Sequence, residues 1–198
     1  LQAESVIEKF KAAGALLEGH FVLSSGLHST RYLQCALVLQ DPAQAEEFGQ
    51  ALASHFREQR IDLVASPAIG GLIIGHEVAR ALGVRFLWTE RQDGVMTLRR
   101  GFSISPGART LVVEDVVTTG GSTRETIAAL RAAGAEVIAA ASIIDRSSGA
   151  ADVGVPRIAL APLAVPSVEP AFCEACARGE ATTKPGSRKG STELTPDY

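Results

Sequence analysis

The sequence predicts an α/β fold with a mainly parallel central sheet flanked by helices, and three observations carry that prediction. From about residue 60 onward, short apolar runs alternate with amphipathic segments, the pattern of strands joined by crossover helices. The apolar runs over 111–113 and 137–144 are continuous rather than alternating, as strands buried on both faces are. The chain has 198 residues, 46% of them hydrophobic and 21% charged, which is enough to bury a sizeable core.

Taken in order, residues 2–13 place Val6, Ile7 and Phe10 at helical spacing. Gly14 interrupts that helix, and the polar segment with Ser24, Ser25 and Gly26 reads as turns. Asp41-Pro42 is a helix-start signal, for a helix extending to about Gln59. A strand over 63–65 leads through a loop at 66–71 into a helix ending near Leu82, and 84–88 is the next strand. Residues 89–109 carry Glu90, Arg91, Asp93, Gly94, Arg99, Arg100 and Gly107. Their apolar content is too sparse for a packed helix, so the segment reads as a long loop or mobile hairpin, the kind of element that acts as a lid. A strand over 110–113, a Thr/Gly/Ser loop and a helix over 123–133 follow, then strands over 137–144 and 157–160. Residues 179–198 read as a flexible C-terminal tail.

Composition excludes several functions. A net charge of −3 and a pI near 5.8 lack the electrostatic footprint of a nucleic-acid binder. The apolar runs are too short to span a bilayer. The first residues lack the basic head and apolar block of a signal peptide, so a cytoplasmic location is expected. Three cysteines cannot build a disulfide framework. Only four of the 19 basic residues are lysine, and none lies between positions 12 and 183. Chemistry in the middle of the chain must therefore rely on arginine, whose planar fork suits phosphate and carboxylate.

The densest chemical signal runs from Leu111 to Thr123. An apolar strand delivers Glu114 and Asp115 at its carboxyl end, and Val116, Val117, Thr118, Thr119, Gly120, Gly121 and Ser122 lead into a helix. The two glycines let backbone N–H groups turn inward, the hydroxyls add donors, and the helix N-terminus adds its positive end. This is a phosphate cradle without the lysine of a Walker loop or the spacing of a dinucleotide fingerprint. Ionised carboxylates are acceptors only, so beside a phosphate site they suit the vicinal hydroxyls of a ribose. A sugar phosphate satisfies both halves of the motif.

Residues 113–122 resemble the phosphoribosyl-diphosphate (PRPP) motif of type I phosphoribosyltransferases, most closely those that act on orotate. Gly19 to Ser29 resembles the small N-terminal hood over orotate, Ser66 to Gly71 the pyrophosphate loop, and Ile144-Asp145-Arg146 the place where an arginine meets orotate. The four matches span roughly residues 14–150. The resemblance implies one phosphoribosyltransferase domain over 1–178, with a hood at about 1–40 and a core at about 41–165. It implies PRPP binding by Glu114 and Asp115 (ribose), Val116 to Ser122 (5′-phosphate) and Arg91, and pyrophosphate along Ala68, Ile69, Gly70 and Gly71. Orotate would meet Thr118, Arg146, Ser25 and Gly26. Mg²⁺ would arrive with PRPP rather than on protein ligands, and a homodimer would let the 89–109 loop reach the neighbouring site.

The sequence departs from that family where many members carry lysine: Ser24 or Ser25 in the hood, Ile69-Gly70 in the pyrophosphate loop, and arginines in the 89–109 loop. Asp115, Arg99 and Arg100 are therefore the expected catalytic set, the arginines supplying fixed charge to the leaving pyrophosphate. Two other functions fit the same fold, a purine-base phosphoribosyltransferase and a non-catalytic PRPP-sensing regulator. Cys173-x-x-Cys176 suggests zinc or redox chemistry, but a structural zinc needs four ligands, only Cys35 remains among the cysteines and no histidine follows His76. A local structural or oxidisable pair is expected there. His20 and His28 fall in the hood segment, in a role that is either functional or turn-stabilising.

Overall fold

A computed structural model of the chain describes residues 1–23 and 26–184. Two units form within it, Leu1–Ala15 with Gln34–Ala164, and Leu16–Leu33 with the described residues from Val165 on.

The larger unit is built on six strands in the order β5-β4-β3-β6-β7-β8. They are β3 (Leu63–Pro67), β4 (Arg85–Gln92), β5 (Val95–Leu98), β6 (Arg109–Val117), β7 (Glu136–Asp145) and β8 (Arg157–Pro162). All neighbours are parallel except β4 and β5. The order reverses direction at β3, with β4 on one side and β6 on the other, so the carboxyl ends of β3 and β6 flank a topological switch point, where open α/β sheets bind ligands. Every residue of β3 is buried and β7 buries Ile143 and Ile144 completely. That is why these strands read as nearly continuous apolar runs, with Ser66 and Ser142 as the buried interruptions.

Helices α1 (Ala3–Ala12), α3 (Pro42–Ser54) and α4 (Gly71–Leu82) pack against β8, against β7 and β8, and against β3, β4 and β6 respectively, while α2 (Cys35–Leu39) packs on α1 and α3. The other face is covered by α5 (Gly121–Ala132), whose Ile127 and Leu130 join Leu63, Ala65, Leu87, Val112, Val137 and Ala140 in one core. Asp41 caps α3 by accepting from the Ala43 N–H at 2.9 Å. The helix stops at Ser54 rather than near Gln59, because bonds from the His55 and Phe56 N–H groups to Leu52 and Ala53 tighten its last turn. A Cβ on Gly49 would lie 2.6 Å from Glu77 Cβ, so glycine is what lets α3 and α4 approach.

Residues 89–98, expected as loop or mobile hairpin, are a hairpin within the main sheet. β4 continues to Gln92, Asp93 and Gly94 turn with positive φ, and Thr89 to Gln92 pair with Leu98 to Val95. Met96 is buried, and Leu98, Phe102 and Ile104 rest on the core. Apolar residues at alternating positions, too few for a helix, suffice for a two-stranded ribbon.

The smaller unit pairs β1 (Leu16–Val22) antiparallel with β2 (His28–Leu33), and β2 with the short β9 (Ser167–Val168). A 3-10 turn over Pro170–Phe172 leads to the single-turn helix α6 (Glu174–Ala177). The hood expected over residues 1–40 is narrower and discontinuous, since α1 and α2 belong to the larger unit and residues after Val165 complete the smaller one. Within it His20 and His28 lie beside Cys173 and Cys176. The expectation that the cysteine pair lacks partners therefore fails, because the partners precede it in sequence by about 150 residues. No disulfide joins any of the three cysteines. No described helix is long and apolar enough to cross a membrane.

Candidate active site

Parallel strands deliver their carboxyl ends to one edge of the sheet, and the chemistry-bearing residues collect there. β6 ends in Glu114-Asp115-Val116-Val117, after which Thr118 and Thr119 are exposed. Gly120 adopts φ +74° and α5 starts at Gly121. The first-turn N–H groups of a helix lack intrahelical acceptors, so this loop presents donors and a positive dipole end. The loop is braced from behind by Arg124, whose Nη1 donates to the carbonyls of Thr119 (2.9 Å) and Asp152 (2.7 Å). At Gly120 a Cβ would lie 2.7 Å from Val153 Cγ1, so bulk as well as φ requires glycine.

Glu114 accepts a hydrogen bond from the Thr123 hydroxyl, and Asp115 Oδ1 accepts from the Val116 N–H at 2.9 Å. Both side chains keep some surface, yet protein atoms crowd them enough that desolvation dominates their titration. Burial pushes Glu114 up to about 7, with Thr123 opposing and the Asp115 charge adding. Burial raises Asp115 as well, opposed by the Val116 N–H and by the Cys35 thiol. Cys35, on α2, is itself raised by burial and by the Asp115 charge. Ligand hydroxyls would add donors to these two neighbouring carboxylates and favour their charged forms.

The loop after β3 closes on the same acids. A Cβ on Gly70 would sit 2.8 and 2.9 Å from the two Asp115 carboxylate oxygens, and one on Gly71 would sit 3.0 Å from the Val113 carbonyl. Ala68 N–H donates to the Thr89 carbonyl at 2.7 Å, the Ala68–Ile69 peptide is cis, and Ile69 is 81% exposed. Gly70 thus lies against Asp115, and Gly71 against Val113 of the same strand, at the switch point.

Arg146 follows β7. Its N–H donates to the Val117 carbonyl at 2.8 Å, which puts it next to the start of the Thr118 loop, and its charge reaches Cys35. Asp145 is engaged elsewhere, accepting from the Ser147 N–H and hydroxyl, from the Gly149 N–H and from Arg157. Burial raises the Asp145 carboxyl, but these donors outweigh it and hold the group low. A simple Asp145–Arg146 surface pair is thereby replaced by an Asp145–Arg157 pair.

Three arginines expected as donors are held by carboxylates. Arg91 pairs with Glu125 and donates to the Gly94 carbonyl, Arg100 makes a two-pronged contact with Glu90 at 2.7 and 3.0 Å, and Arg99 lies 3.7 Å from Glu90. Glu90 is lowered first by Arg100. Arg100 has φ +63°, so the turn at Arg100-Gly101 aims both arginines back along the hairpin. Of the hood candidates, Gly26 sits in the turn where Leu23 and Leu27 bond, with φ +83°, and Ser25 lies outside the described residues. The residues not foreseen are Cys35, Thr123, Glu90 and Glu125. Thr123 could have been found as the hydroxyl nine positions after an acid in a strand–loop–helix, whereas Cys35 reaches Asp115 only through the fold.

An acid pair on a parallel strand, a Thr/Gly cradle at a helix start and a glycine loop across the switch point together define a phosphoribosyltransferase. Residues 37–155 match the phosphoribosyl transferase domain family, and the chain belongs to that family. Within it, relatives that match over nearly the whole chain include orotate phosphoribosyltransferases. The enzyme so named from Pelotomaculum thermopropionicum is 53% identical over 186 residues, covering 94% of this chain and 98% of that protein. The one from Rhizorhabdus wittichii is 52% identical, covering 93% and 96%. The crystal structure of orotate phosphoribosyltransferase from Aeropyrum pernix superposes with a TM-score of 0.66 at 30% identity, over 80% of this chain and 93% of that one.

Proposed function

We propose that this protein transfers the phosphoribosyl group of PRPP to orotate, giving orotidine 5′-monophosphate and pyrophosphate in pyrimidine biosynthesis. The observation that carries the reading is the Glu114-Asp115 pair running into the Thr118–Ser122 cradle at the switch point, in a chain 53% identical to an orotate phosphoribosyltransferase. Glu114 and Asp115 accept from the ribose hydroxyls, and the cradle takes the 5′-phosphate. Pyrophosphate lies along Ala68 to Gly71, and Arg91 lies on the PRPP side. Thr118 and Arg146 hold orotate, whose negative charge Arg146 matches; Ser25 and Gly26 are the further orotate contacts that the family resemblance implies.

The bond to pyrophosphate breaks as the orotate nitrogen approaches the anomeric carbon, through an oxocarbenium-like state. Such a state needs positioning, water exclusion and charge on the leaving group rather than a protein nucleophile. Arg99 and Arg100 supply that fixed charge once PRPP draws them from Glu90, and they cannot act as acids, because guanidinium keeps its protons. The side chains of Glu114 and Asp115 present carboxylate oxygens, hard groups compatible with a hard cation held on PRPP beside them. Mg²⁺ carried by PRPP neutralises pyrophosphate charge when bound. A homodimer in which residues 89–109 approach the partner's site completes the proposal.

The test is direct. Protein, Mg²⁺, PRPP and orotate are mixed, and orotate absorbance is followed, with adenine and hypoxanthine in parallel. Loss of orotate that depends on PRPP supports the reading. Turnover of a purine base alone, or PRPP binding without turnover, would reject it.

A further inference from the structure

We infer that the smaller unit carries a structural zinc site formed by His20, His28, Cys173 and Cys176. The four ligand atoms lie within 4.8 Å of one another, and His20, His28 and Cys173 are buried. His20 Nε2 is 2.8 Å from His28 Nδ1, 3.4 Å from Cys173 Sγ and 3.6 Å from Cys176 Sγ, and Cys176 Sγ is 3.2 Å from His28 Nδ1. A tetrahedral ion with metal–nitrogen bonds of about 2.0 Å and metal–sulfur bonds of about 2.3 Å has edges of roughly 3.3–3.8 Å. Three of the four sulfur–nitrogen distances already match those edges to within a few tenths of an ångström. The nitrogen–nitrogen edge must open by about half an ångström on the same geometry, and the two edges from Cys173 Sγ to His28 Nδ1 and to Cys176 Sγ lie within 4.8 Å.

The tautomer is set for coordination. His20 Nδ1 lies 3.0 Å from the Glu180 carbonyl, which can only accept, so Nδ1 carries the proton and Nε2 turns its lone pair toward the cluster. His28 offers Nδ1 from the paired strand, and the two cysteines straddle the start of α6 at the two-residue spacing common to structural zinc sites. Two thiolates and two neutral imidazoles cancel the charge of Zn²⁺, so the buried centre carries no net charge. Binding proceeds with loss of both thiol protons to solvent. Four protein ligands leave no open position, which makes the site structural rather than catalytic, and sulfur with imidazole in a tetrahedron selects zinc over magnesium.

The unit also needs such a centre. Apart from cysteine, the buried apolar side chains among its described residues are Phe21, Leu33 and Ala175. Units of about 40 residues with so small a core depend on a metal or crosslink. The ion would tie the β1–β2 hairpin to the C-terminal segment, reinforcing links made by β9, by the Ser29 hydroxyl donating to Pro166, by His20 bonding the Glu180 carbonyl and by Thr183 bonding His20 and Val22.

The test uses the full chain, purified without chelator or polyhistidine tag. Elemental analysis should find about one zinc per chain, and replacing zinc with Co²⁺ should give the visible bands of a tetrahedral site with thiolate charge transfer. C176S should lower zinc content at least tenfold, whereas H28C, which keeps four ligands, should retain it. Removal of zinc should lower Tm. A metal-free protein with a Cys173–Cys176 disulfide in mass spectra would overturn the inference, as would zinc retained in full by a C173S/C176S variant. If that variant does not fold, the cobalt spectrum of the unaltered chain decides, since bands without sulfur charge transfer would equally overturn it.

Discussion

Replacing Glu114 with glutamine separates what this carboxylate does for the fold from what it does for substrate. The carboxyl titrates near 7 instead of its ordinary 4.5, mainly because burial disfavours the charged form. Between those values the native state binds more protons than the unfolded chain, so stability falls as pH rises through this window and levels off above it. At 1.36 kcal/mol per pH unit, ionising Glu114 in place costs on the order of 3 kcal/mol. Glu114→Gln keeps the shape and the carbonyl that accepts from Thr123 but cannot ionise. The ligand-free variant should therefore melt up to about 6–12 °C above wild type near pH 8, taking about 2–4 °C per kcal/mol, and much closer to it near pH 5. PRPP binding should change in the opposite sense, because charged hydrogen bonds to ribose are worth roughly 1.5–3 kcal/mol, or about 10- to 100-fold in affinity. Calorimetry of PRPP binding and thermal melts from about pH 5 to about pH 8 measure both effects. Melting curves that run parallel for the two proteins would refute the burial argument, and equal PRPP affinity would refute the ribose assignment.

Other changes probe the rest of the site. Gly70→Ala drives a methyl into the Asp115 carboxylate, so KM for PRPP should rise at least about tenfold with little change in Tm; unaltered kinetics would remove this loop from the pyrophosphate path. Arg146→Ala should raise KM for orotate far more than KM for PRPP, and equal effects would point to a structural role beside Val117 and Cys35. The double change Arg99→Ala, Arg100→Ala should lower kcat by roughly 10²–10³ without moving Tm, since both side chains are exposed. Mixed with an Asp115→Asn chain, it should recover activity through hybrid dimers. Wild-type kcat in the double variant would shift the catalytic charge to Arg91.

The sequence by itself determined the architecture of the larger unit and the centre of its site. Strands such as β3 and β7 are buried on both faces and so appear as mostly apolar runs, broken only by buried Ser66 and Ser142 between their apolar residues. Glu114 to Ser122 are contiguous in the chain, so their strand–loop–helix geometry follows from local chemistry. The short strands β5 and β9, and the hairpin of β1 and β2, were not legible, because their pairing partners supply the burial that a few residues cannot signal alone. Only the tertiary structure decided what faces Asp115, with Gly70 crossing from β3 and Cys35 from α2, and it decided that Arg146, after β7, bonds Val117 beside Cys35. It also decided the fate of the charges, since Glu90 and Glu125 hold the arginines that the sequence offers as open donors. The zinc ligands make the same point most clearly. His20 and His28 meet Cys173 and Cys176 across more than half the chain, and no local spacing rule reaches that far, because contacts at such separation are chosen by where the strands and turns of the folded unit end.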